Sequence, residues 1–231
     1  PTFQVQKDVY QLVFDRLFKV LPDGNQVGEL VDSWEYKEEG KELHIKLRPS
    51  VFWHDGEPFT ASDVKFTLEL YKNLPGQDSY YDTVSDVEVE IISDMELVFK
   101  KSRTSSSFIE TITWPILPEH ILKEAGEHKA LDEDLNDNLI GTGPFKFSSL
   151  SKDSIQLERN DNYWKDVPKL KNIVFKSYPS EKLLLHALEA GKIDATTEIN
   201  ALNVELLSGV PWLRFESVTL LRRYWSVYFN F

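Results

Sequence analysis

A chain of 231 residues carrying 38 Asp plus Glu against 26 Lys plus Arg, with a formal charge of −12, is long enough to bury a substantial core. Its acidic balance, without clustered Lys and Arg, argues against a nucleic-acid partner and an anionic membrane surface, and no apolar run reaches the length of a bilayer span. The absence of cysteine removes disulfides, thiol catalysis and cysteine-ligated zinc together.

Near the start, Val9, Leu12, Val13 and Leu17 recur at helical spacing, which predicts an amphipathic helix over roughly residues 8–19, ended by the turn Pro22-Asp23-Gly24-Asn25. Leu43, Ile45 and Leu47 alternate with polar neighbours and predict a strand stopped by Pro49. Thr60-Ala61-Ser62-Asp63 has the spacing of a capping box, so a helix should run to about Asn73 with Val64, Leu68 and Tyr71 on its apolar face. Val87, Val89 and Ile91, then Leu97 and Phe99, flank the turn Ser93-Asp94 as an antiparallel hairpin. Pro118 suits the first position of a short helix through Ala125, with Gly126 placed to end it.

Further along, Phe145/Phe147 and Ile155/Leu157 predict a second hairpin, and Ile173 with Phe175 another strand. Ser180 caps a helix carrying Leu184, Leu185 and Leu188 and closed by Gly191, after which Ile193 to Thr197 begin a strand. Strand, helix, strand at this spacing fits a parallel crossover. The fold class is therefore mixed α/β.

No constellation argues for catalysis. Asp132, Asp134 and Asn136 imitate the opening of a calcium loop, but the sixth position is Asp137 and the twelfth Gly143, where Gly and Glu are needed. His120 and His128 match no common zinc spacing. Gly141-Thr142-Gly143 is followed by Pro144 and an alternating strand pattern, so it lacks the helix N-terminus of a phosphate loop. There is no G-x-S-x-G nucleophile element. The reading is not an enzyme, with no catalytic residue, metal or cofactor.

The most specific features are extended phrases. Phe52-Trp53-His54-Asp55-Gly56-Glu57-Pro58-Phe59-Thr60-Ala61-Ser62-Asp63-Val64 is physically a strand end, an Asp-Gly turn and a capped helix. It resembles the signature of the family 5 extracellular solute-binding proteins, which include the oligopeptide and dipeptide receptors of ABC importers. Three more phrases match that family in order: Gly141-Thr142-Gly143-Pro144-Phe145, Glu158-Arg159-Asn160-Asp161-Asn162-Tyr163-Trp164, and Ala187-Leu188-Glu189-Ala190-Gly191-Lys192-Ile193-Asp194. The phrases read first as scaffold: His54 and Asp55 shape a turn, and Tyr163 and Trp164 serve as anchors rather than ligand contacts.

The resemblance implies a periplasmic-binding-protein-like fold of the peptide-receptor subclass, with residues 1–30 and 119–231 forming a larger subdomain and 31–118 a smaller inserted one. It implies a second lobe beyond this chain. The expected function is extracytoplasmic capture, in the periplasm or at the cell surface on a lipid anchor, of a peptide or other small solute, delivered by a monomeric protein to ABC transporter permease subunits. An oligosaccharide, a nickel chelate, haem, or a sensing role on the same scaffold are the alternatives.

By the same resemblance Asp15-Arg16-Leu17 lines the cleft. Arg16 stands where the family usually has Gly, and its side chain either crowds the cleft, binds a carboxylate, or faces solvent at a helix end. Tyr80 and Tyr81 reach ligand side chains or pack in the core, Thr197 and Glu198 face the cleft, and Tyr224, Trp225 and Tyr228 lie on the terminal strand, with Tyr224 and Tyr228 on one face.

Overall fold

The computed structural model describes residues 3–21, 23–73, 84–102, 104, 108–125, 139–196 and 199–216. The chain divides into two compact units, Pro1–Phe175 and Lys176–Phe231. Among the described residues no helix is long and apolar enough to cross a membrane.

The first unit opens on helix α1 (Phe3–Val13), which stops well short of the helix predicted to residue 19. Leu17 is fully buried, as either periodicity requires, but Phe18–Val20 forms strand β1, paired with β2 (Gln26–Gly28) in the register Phe18↔Gly28. Two interactions end the helix early. The Val13 carbonyl accepts the Gly143 N–H at 2.9 Å, and the Asp15 carbonyl accepts the Ile116 N–H at 3.1 Å, so segments remote in sequence take over the last turn. Short apolar runs leave helix and strand unresolved by pattern alone.

A four-stranded antiparallel sheet follows, in the order β3 (Val31–Lys37), β4 (Glu42–Leu47), β6 (Glu96–Lys101), β5 (Val87–Ser93). The predicted hairpin is β5–β6, with Val89 opposite Phe99, and Leu43 meets Phe99 from the other side. Alternation sends Leu43, Ile45, Leu97 and Phe99 into the core beneath α2 (Ala61–Lys72), whose Val64, Leu68 and Tyr71 are buried as its spacing predicts. The opposite face is polar, and there Lys100 pairs with Glu90 at 2.7 Å and with Glu42 at 3.5 Å.

Helix α3 (Glu119–Ala125) begins directly after Pro118. The second predicted hairpin forms as β7 (Phe145–Leu150) and β8 (Ser154–Arg159), joined in one sheet by β9 (Asn172–Lys176). Phe147 lies opposite Leu157, the register the paired apolar residues predict.

In the second unit, Ser180 caps α4 (Glu181–Glu189) by accepting the Leu183 N–H, and Asn200 caps α5 (Ala201–Leu207) by accepting the Asn203 N–H at 2.9 Å. The side-chain amides of Asn200 and Asn203 both donate to Glu181, tying the two helix starts together. Gly191, at φ +65°, ends α4 in the left-handed conformation its sequence position predicts. The strand predicted next does not form over residues 193–196, which are turn and coil, so no crossover unit is present among the described residues. Ile193 and Ala195, both solvent-accessible, give that stretch too little apolar surface to hold a strand.

Candidate functional site

Three remote segments meet at the C-terminal end of α1. The Gly141-Thr142-Gly143 loop runs so close to that helix that a Cβ on Gly141 would lie 1.8 Å from the Val13 carbonyl oxygen, and one on Gly143 would lie 2.5 Å from that of Leu12. Glycine is required there for closeness alone, since neither position has a positive φ.

The same loop is gripped by His54. Its backbone N–H donates to the Gly141 carbonyl at 2.8 Å, and its Nδ1 accepts the Gly141 N–H at 3.1 Å. Nε2 lies 3.0 Å from the Gly143 carbonyl, so this nitrogen carries the proton and the ring is neutral. Burial pushes the imidazole pKa down to about 4, against the pull of the Gly143 carbonyl and with the help of nearby Lys146. A neutral, doubly engaged ring is a clamp. It has no free nitrogen with which to act as a base.

Asp63 is a second clamp. It accepts the Thr60 N–H at 2.9 Å, the half of the capping box its spacing predicts, and also the Glu119 N–H at 3.0 Å and the Trp53 indole N–H at 3.3 Å. Nearby His120 pairs with Asp55 at 2.8 Å, and Lys123 with Glu119 at 3.0 Å. The open groove of about 340 Å³ lined by these groups is thus already satisfied internally. Among the described residues no group of three His, Asp or Glu can hold a metal ion.

Asp15 is the centre of the junction. It is 4% exposed and receives the Trp164 indole N–H at 2.8 Å, the Tyr163 hydroxyl at 3.1 Å and the Thr142 hydroxyl at 3.2 Å. Burial, with the Glu29 carboxylate nearby, raises its pKa to about 6 in spite of these donors and of Lys165. Burial and the Asp15 charge together drive the Tyr163 phenol well above its ordinary range. Glu29 itself accepts the Arg16 backbone N–H and pairs with Lys165 at 3.2 Å, while Lys165 and Arg48 each lie over the Trp164 ring, at 4.4 and 5.0 Å. The expectation that Tyr163 and Trp164 act as anchors therefore acquires a named partner.

Residues 25–231 match the family model of the bacterial extracellular solute-binding proteins, family 5 Middle. The chain belongs to that family. It is 30% identical over 200 residues to the oligopeptide-binding protein AppA of Bacillus subtilis, covering 84% of this chain and 36% of that protein. It is 28% identical over 232 residues to di/tripeptide-binding protein 1 of Pseudomonas aeruginosa, covering 90% and 43%. The chain thus spans well under half the length of these curated relatives. Among solved structures, AppA of B. subtilis in complex with a nonapeptide is 26% identical with a TM-score of 0.78, covering 91% of this chain and 43% of that one. NikZ of Campylobacter jejuni in complex with Ni(L-His) is 29% identical with a TM-score of 0.77, covering 87% and 40%. The expected periplasmic-binding-protein-like, mixed α/β fold is accordingly that of these neighbours.

Within this family 5 chain, the expected ligand residues fall into two groups. Tyr80, Tyr81, Thr197, Glu198, Tyr224, Trp225 and Tyr228 lie outside the described residues, as do His128 and the acidic stretch Asp132 to Asp137. Asp15, Arg16 and Leu17 are described, and they differ sharply. Leu17 is fully buried and Asp15 nearly so, which makes their side chains part of the scaffold, while only Arg16 emerges, half-buried. The Arg16 carbonyl accepts the Leu30 N–H at 3.0 Å and the residue bridges to Pro115, so its backbone is fixed. Sequence reasoning missed the roles of Glu29, Arg48 and Lys165. Each is an ordinary charged residue in its local pattern, and only the tertiary junction brings them around Trp164.

Proposed function

We propose that the complete protein captures peptides outside the cytoplasm and delivers them to the permease of an ABC transporter. The observation that carries this is the family 5 match over residues 25–231, together with relatives named as oligopeptide- and di/tripeptide-binding proteins. The satisfied state of His54, Asp55, Asp63 and Asp15 supports a binding role over catalysis, because each of these four groups already has structural partners.

In this reading the Asp15-Arg16-Leu17 segment forms one wall of the ligand cleft, with Tyr80, Tyr81, Thr197, Glu198, Tyr224, Trp225 and Tyr228 contributing from the same lobe. Residues 1–30 and 119–231 form its larger subdomain and 31–118 the smaller one. The resemblance to NikZ, solved with Ni(L-His), favours a second reading in which the solute is a small metal chelate. A peptide and L-His each carry an α-amino group and a carboxylate.

Calorimetric titration of the complete gene product with a pool of short peptides, and separately with Ni(L-His), tests the proposal. Peptide binding at about micromolar Kd or tighter is expected. Heat from the chelate alone would transfer the reading to metal capture.

A further inference from the structure

We infer that Arg16 is the receptor for a carboxylate of the ligand, so that the protein selects solutes carrying that group. The inference rests on the reading of the Asp15–Leu17 segment as a cleft wall. Its independent support is the state of the Arg16 side chain.

Two carboxylates stand next to Arg16, and both already have partners. Asp15 is committed to Trp164, Tyr163 and Thr142, and Glu29 to Lys165 and to the backbone N–H of Arg16. Two other arginines show what a structural guanidinium looks like in this protein. Arg48 donates to the Glu29 and Val31 carbonyls and lies over Trp164, and Arg159 pairs with Asp161 at 2.7 Å and donates to the Pro168 carbonyl. The Arg16 guanidinium has no hydrogen-bond or ion-pair partner among the described residues.

Its backbone, by contrast, is held at the N–H, at the carbonyl and by the bridge to Pro115, with a buried residue on each side. A fixed base carrying an unspent planar fork suits bidentate recognition of a carboxylate, because little backbone freedom remains to be lost on binding.

The test compares two peptides of one sequence, one ending in a free carboxylate and the other in an amide. Each is titrated by calorimetry into the complete gene product as wild type, R16Q and R16K. Wild type should prefer the acid by about tenfold to a hundredfold, the range expected for a charge-assisted hydrogen bond. R16Q should bind both peptides about equally, and R16K should keep part of the preference without the fork geometry. Circular dichroism melting of each variant checks that this half-exposed substitution leaves the fold intact, and R16K carries the comparison if R16Q melts early. If wild type binds peptides and R16Q or R16K shows the full wild-type preference, the inference about Arg16 is wrong while peptide capture stands. If wild type binds neither peptide nor a peptide pool, capture itself is wrong and the inference falls with it.

Discussion

The indole of Trp164 donates to Asp15 across 149 positions of sequence, and this bond closes the junction between the end of α1, the Gly141–Gly143 loop and the turn after β8. Because the carboxylate is buried, each of its three donors is worth more than a surface bond, and each loses its acceptor if the carboxylate is removed.

Substitutions at this pair should therefore rank in a definite order. Asp15→Ala strands three donors and should cost about 3–5 kcal/mol. Trp164→Phe removes one charge-assisted bond and should cost about 2–3 kcal/mol. Asp15→Asn should cost least, because its oxygen still serves Trp164 and Thr142 while the Tyr163 hydroxyl can turn to accept from the new amide. Urea unfolding of the three variants decides it. Equal losses for Asp15→Ala and Asp15→Asn would show that the hydrogen bonds are not what Asp15 supplies.

The pH dependence of stability should contain two opposed contributions. Asp15 has a folded pKa of about 6 against an ordinary 3.8, so its contribution is complete below the unfolded value and is lost as pH rises through about 6. His54 has a folded pKa of about 4 against an ordinary 6.5, so its contribution is complete above the unfolded value and is lost as pH falls through about 4. Each amounts to at most about 3 kcal/mol, over nearly the same window, and together they largely cancel. Unfolding measured at about pH 4.5 and 6.5 should change sign between variants. Asp15→Asn should lose stability on acidification relative to wild type, and His54→Gln should gain it. Parallel pH profiles for wild type and both variants would contradict the assignment.

Two glycines should respond in opposite ways to the same added methyl. Gly141→Ala drives a Cβ into the backbone of Val13, which cannot move without unwinding α1, and should cost more than about 3 kcal/mol or prevent folding. Gly209→Ala meets nothing within 4 Å and is not at positive φ, so it should be neutral or stabilising by up to about 1 kcal/mol. Thermal melting of the two proteins separates the cases.

What was legible in the sequence follows from how local its cause is. Helix α2 was readable because Thr60, Asp63 and the spacing of Val64, Leu68 and Tyr71 act within one segment, and the β5–β6 and β7–β8 hairpins were readable because their alternation and turns are contiguous. Helix α1 was predicted too long because its end is set by Gly143 and Ile116, more than a hundred residues away. β1, β2 and β3 went unread since β1 and β2 are only three residues each, and six of the seven residues of β3 are exposed, so its pattern lacks a buried stripe. At Asp15-Arg16-Leu17 the family resemblance singled out a segment of chain but could not separate its side chains. Burial of Asp15 and Leu17 beside an emergent Arg16 depends on the junction as a whole.

Native mass spectrometry of the complete gene product, purified from its source without denaturation and then incubated with a peptide digest, tests the central claim most directly. Capture of peptides predicts a set of added masses matching short peptides, present on purification or acquired from the digest. A protein that stays bare after the digest, or that retains a single non-peptide mass which the digest does not displace, would contradict it.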